Sequence, residues 1–115
     1  MKQNIIKNKS FNFAVDIVGL YKNLAYNKKE YVMSRQLLKS GTSIGANVRE
    51  AEFAQSKPDF ISKMSISLKE ANETDYWLDL LHETKFINEE EFKVFKSKST
   101  ELLRLLVSIV KSAKQ

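Results

Sequence analysis

Apolar residues recur every three or four positions through most of this chain, the period of an α-helix and not the strict alternation of a strand. Breaks in that period divide it into helical segments. The first is expected from Ser10, a good N-cap residue, to Tyr26, with residues 1–9 as a flexible N-terminal tail. The second runs from Lys29 to about Gln55. Pro58 sits where a first helical turn begins, so the third extends from there to Thr84. Asn88 followed by Glu91 has the spacing of a capping box and opens a fourth segment that reaches about Ala113. Connections of ~3–6 residues between such long helices force neighbours to run antiparallel. The predicted fold is all-α: an antiparallel up-down-up-down four-helix bundle forming a single domain.

The stretch Lys39–Gly45 could interrupt the second helix, because Gly41 can end a helix and Ser43 can cap one. However, Leu37, Gly41, Ile44, Val48 and Ala51 hold the helical period without a phase slip. One continuous helix is therefore expected. Each glycine costs it about 1 kcal/mol relative to alanine, which close approach by another helix would offset. A phosphate-cradling loop is the functional alternative, but the Walker spacing and its lysine are missing.

Two helices carry more apolar surface than one core needs. On the first, Phe11, Ala14, Val15, Val18 and Ala25 share one side, and Phe13, Ile17, Leu20 and Leu24 the opposite one. On the third, Phe60, Ile61, Met64, Leu68, Ala71 and Leu78 oppose Ile66, Trp77 and Leu80. A second stripe implies a second subunit, since large exposed apolar patches are uncommon on monomers. The interface is assigned to Phe13, Ile17, Leu20, Leu24, Ile66, Trp77 and Leu80. A wide buried arc inside a monomer is the alternative.

Composition narrows the chemistry. With 115 residues, 3 Gly, 1 Pro and no Cys, the chain suits long helices and lacks disulfides, thiolate metal sites and a cysteine nucleophile. The polar start MKQNIIKNKS lacks the apolar core of a signal peptide, and no apolar run approaches the ~18 residues of a membrane span. A cytoplasmic location without membrane contact is expected. Paired carboxylates such as Glu70, Glu73 and Asp75 invite a glycosidase or metal reading, but no second acidic cluster stands at ligand spacing. His82, the only histidine, has no Glu-x-x-His partner, and a di-iron bundle needs that motif twice. Salt bridges fixing helix register are the expected role of these acids, and no enzyme activity or cofactor is expected.

The formal net charge is +5, unevenly spread: residues 58–86 are net acidic and the other three quarters basic. This suggests charge complementarity between packed helices. Arg35, Lys39 and Arg49 fall in one arc of the second helix, and Lys93, Lys96, Arg104 and Lys111 in one arc of the fourth. Aligned cations on a rigid helix suit phosphate contacts, so these seven are the candidate nucleic-acid-binding residues. A solvated face is the plainer alternative. No exposed aromatic residue is clearly interleaved with them, so base stacking is not expected.

SRQLLKSGTSIGANVREA (residues 34–51) and SLKEANETDYWLDLL (residues 67–81) resemble the signature blocks of the bacterial intervening-sequence proteins of the large ribosomal RNA. The resemblance spans nearly the whole chain. It implies a four-helix bundle that assembles as a homopentamer and has no known enzymatic activity. One branch of the group, the accessory variability determinants of diversity-generating retroelements, is basic and binds nucleic acid, RNA or DNA, and a reverse transcriptase. A protein-interaction scaffold that binds no nucleic acid is the alternative function.

Overall fold

Helix α1 begins at Lys2, well ahead of Ser10, in the computed structural model, which describes residues 2–115 and the side chains from Asn4 onward. The expected tail is therefore helical over residues 2–9; Met1 lies outside the described residues. Ile6 is fully buried, and that anchor accounts for the added turns. Ser10 is not a cap: its hydroxyl donates to the Lys7 carbonyl inside the helix at 3.2 Å.

α1 spans Lys2–Lys22 and runs on into a π-helical turn, Asn23–Asn27. The wider π turn re-phases the chain, which buries Ala25 beside Leu24 although the plain α period puts Ala25 on the outer stripe. The Glu30 amide donates to the Leu24 carbonyl at 2.9 Å and the Lys28 amide to Asn23 at 3.2 Å, closing the turn around Lys29, whose φ is 59°. Glu30 then opens α2 (Val32–Glu52). Its carboxylate accepts from the amides of Val32, Met33 and Ser34, the last at 2.7 Å, and so satisfies donors that a helix start leaves unpaired.

α3 spans Lys57–Glu83, with Ser56 as N-cap accepting from the Asp59 amide at 3.1 Å and Pro58 in the first turn. It ends through Lys85, whose φ of 67° lets the Phe86 amide reach the Leu81 carbonyl. α4 spans Glu89–Lys114, opened by a complete capping box between Asn88 and Glu91. The helices pack in the cyclic order α1, α2, α3, α4 as an antiparallel bundle within 44 × 21 × 19 Å. Among the described residues there is no strand, and no helix is long and apolar enough to cross a membrane.

α2 is continuous through its glycines, and α1 supplies the close approach. A Cβ on Gly41 would stand 2.9 Å from both γ-carbons of Ile17, and one on Gly45 would stand 3.3 Å from the Ser10 backbone. On its other side α2 meets α3 through hydroxyls. Ser67 donates to the Ile44 carbonyl at 2.9 Å and Thr74 to Ser40 Oγ at 2.9 Å, all four residues being buried.

This packing corrects the assignment of the α1 stripes. Phe13, Ile17, Leu20 and Leu24 are 0–4% exposed within a single chain and cannot face a second subunit. Gly41 is the reason: its missing side chain admits Ile17, and that turns this stripe inward. The unsatisfied stripe is the other one, with Phe11 and Val15 both more than half exposed. On α3 the assigned side does point outward: Ile66 is 39% exposed, and Trp77 and Leu80 are half-buried.

Candidate nucleic-acid interface

The seven candidate cations fall into different environments. On α2, Arg35, Lys39 and Arg49 are exposed. The Arg49 guanidinium lies 5.8 Å above the Phe11 ring of α1, a cation–π contact that leaves its charge unneutralised. On α4, Lys93, Arg104 and Lys111 are also exposed. Among the described residues, none of these six forms an ion pair.

Lys96 is different. Its ammonium lies 2.7 Å from both Asp75 and Asp79 of α3, and Ser99 donates to the other Asp75 oxygen at 3.1 Å. Burial acts to lower the Lys96 pKa, yet the hydrogen bonds and negative charge of the two aspartates outweigh it and hold the pKa above the ordinary lysine value. Lys96 is therefore a strut between α3 and α4, not a phosphate ligand. Spacing along α4 alone cannot reveal this, because the decisive carboxylates lie on the neighbouring helix.

The two basic arcs do not merge. α2 and α4 occupy opposite corners of the bundle, so one subunit presents two separate positive edges. On α4, Phe92, Lys93, Lys96, Ser97, Thr100, Glu101, Arg104 and Leu105 line a shallow open groove. Glu101 at its margin pairs with Lys9 of α1 at 3.1 Å, which offsets part of its charge.

The acids also serve the packing. Glu50 of α2 pairs with Lys63 of α3 at 3.0 Å, and that hydrogen bond raises the Lys63 pKa. Burial, with the charge of Glu73 second, raises the Glu70 pKa, against the opposing influence of Lys39. Glu73 accepts from the Trp77 indole at 3.2 Å. The His82 ring stacks on Phe92 at 3.9 Å and meets Glu89 at 2.8 Å. Among the described residues, no cluster of three or more Asp, Glu or His side chains is arranged to hold a metal ion.

One group of cations escaped the reading by faces. Lys22, Lys28 and Lys29 surround the α1–α2 turn together with Tyr26 and Tyr31, and all five are exposed. They straddle a helix end, so they share no helical face. The visible signal is the local run KNLAYNKKEY itself.

The sequence matches the family model of the 23S rRNA-intervening sequence protein over residues 2–108. The chain belongs to this family. Among solved structures, the intervening-sequence chain is similar to a protein of unknown function from the S23 ribosomal protein family of Bacteroides thetaiotaomicron. The two share 58% identity over 96% of this chain and 99% of the other, with a TM-score of 0.95. No curated protein matches. The likeness in structure supports the four-helix architecture, and neither comparison names a reaction.

Proposed function

We propose that this chain is a non-enzymatic binding protein that works as a homo-oligomer, a pentamer by family resemblance, and attracts nucleic acid through cations borne on its helices. The observation that carries this reading is the contrast within the basic residues. Lys7, Lys9, Lys63, Lys96 and Lys98 are engaged by carboxylates of neighbouring helices, whereas Arg35, Lys39, Arg49, Lys93, Arg104 and Lys111 stand exposed and unpaired among the described residues. Cations left out of the packing network keep their field for a polyanion, and assembly multiplies that field. A role as accessory protein to a reverse transcriptase, as in the retroelement branch, is the biological setting this reading favours.

Fluorescence anisotropy with single-stranded RNA, duplex RNA and duplex DNA across a salt series tests it. Binding should weaken with a log–log salt slope of about −0.7 to −0.9 per phosphate neutralised. Changing Arg35, Lys39 and Arg49 together to Gln should flatten that slope and leave helicity unchanged. If the wild type binds none of these probes at low salt, the reading fails. The protein-interaction scaffold, supported by the exposed Phe11, Val15 and Phe53, then replaces it.

A further inference from the structure

The connection between α1 and α2 combines two properties found nowhere else on this surface among the described residues. It is cationic without a competing surface acid of its own, and it carries protruding aromatic rings. From Lys22 to Arg35 the segment holds Lys22, Lys28, Lys29 and Arg35 against one carboxylate, Glu30. Glu30 is only 9% exposed, and its oxygens are occupied by the first three amides of α2. The only acid of the segment is thus withdrawn from the surface. Lys28 donates to the Phe86 carbonyl, a neutral partner that fixes its position and leaves its charge.

Tyr26 is 62% exposed and Tyr31 52% exposed, so each phenol face meets solvent although each ring could bury well over half its area. Tyr26 is braced edge-on by Tyr21, with ring centroids 6.3 Å apart at 68°. The backbone beneath is fixed by the π turn, by the left-handed Lys29 and by the Asn27–Asn23 side-chain hydrogen bond at 2.8 Å. A braced ring, Tyr26, with a second exposed ring, Tyr31, beside unneutralised cations supplies the elements with which proteins bind unpaired bases and their phosphates. Duplexes offer their phosphates but hide their base faces. The α3–α4 turn at the same end carries Glu83, Glu89, Glu90 and Glu91 against Lys85, and Glu83 and Glu89 share a shallow pocket with Lys28, so the acidic turn favours the α1–α2 side for a polyanion.

We infer that the α1–α2 turn is a contact site for single-stranded nucleic acid, with bases stacking on Tyr26 and Tyr31 and phosphates held by Lys22, Lys28 and Lys29. This deepens the proposed function and rests on it. It also reverses the expectation, drawn from the helical arcs alone, that stacking has no support.

The test measures anisotropy of roughly 12-nucleotide oligo(U), oligo(dT) and a duplex RNA with the full-length protein, wild type and variants. The double variant Tyr26→Ala/Tyr31→Ala should lose on the order of ten- to a hundredfold in affinity for single strands and keep its duplex affinity. The double variant Tyr26→Phe/Tyr31→Phe should bind single strands like the wild type, since stacking needs the ring and not the hydroxyl. A selective loss in the alanine variant on either single strand supports the inference, and the wild type's affinity ratio between the two strands identifies the polymer. If the alanine variant binds single strands as the wild type does, or loses duplex binding equally, the inference is overturned and the proposed function stands. If the wild type binds no probe at all, both fall. Circular dichroism of each variant confirms that the helices are intact.

Discussion

Glycine has two opposite meanings in this chain, set by what lies where a Cβ would be. At Gly41 that position is 2.9 Å from Ile17, whereas at Gly19 nothing lies within 4 Å. Gly41→Ala should therefore cost about 1–3 kcal/mol, through forced displacement of Ile17 in a packed core. Gly19→Ala should stabilise by about 0.5–1 kcal/mol, through better helix propensity and lower unfolded-state entropy. Urea denaturation of the two single variants checks the opposed signs. The same pair marks the limit of sequence reading at this scale. Either stripe of α1 satisfies the helical period, and the choice between them lies in the fit of one methyl-bearing side chain into a gap on another helix.

At the scale of elements, the starts of α3 and α4 were legible because they use side-chain chemistry with fixed spacing: Ser56 with Pro58, and Asn88 with Glu91. Less legible were the ends built from backbone geometry. The π turn after Lys22, the left-handed Lys29 and Lys85, and the inward Glu30 carry no residue type that signals them. The link between α3 and α4 was half legible, since an acidic helix next to a basic one was expected but the partners were not. Lys96 joins them, and Lys96→Gln should destabilise the protein by on the order of 1 kcal/mol, a value limited by the partial exposure of the cluster. The sign with pH follows from the raised lysine pKa. The wild type's advantage should be fully present below the ordinary lysine value and should fade as pH rises through the folded-state value. Denaturation midpoints at neutral and alkaline pH measure this. The same variant should leave the salt slope of nucleic-acid binding unchanged, because Lys96 is already occupied.

For the whole molecule, the outward apolar residues include Phe11 and Val15 on α1, Val32 on α2, Phe53 after it, Ile66 on α3 and Val94 and Val107 on α4, with Trp77 and Leu80 half-buried on the same side as Ile66. Light scattering at micromolar concentration should report a species several times 13.3 kDa. Phe11→Glu should shift it toward the monomer with its helical circular dichroism retained, whereas Phe13→Glu should abolish folding. A wild-type mass of one chain would overturn the assembly. The hydroxyl contacts between α2 and α3 have a mechanical consequence. Many helical assemblies transmit information by sliding one helix along another by a turn of about 5.4 Å. Here such a stroke would pull Ser67 from the Ile44 carbonyl and Thr74 from Ser40 at once. Thr74 and Ser40 would keep partners within their own helices, but the buried Ser67 hydroxyl would be stranded in an interior where every described side-chain polar atom has a partner. The bundle is thus a strut and not a piston, and any signal it relays must come from what its ends and outer faces hold.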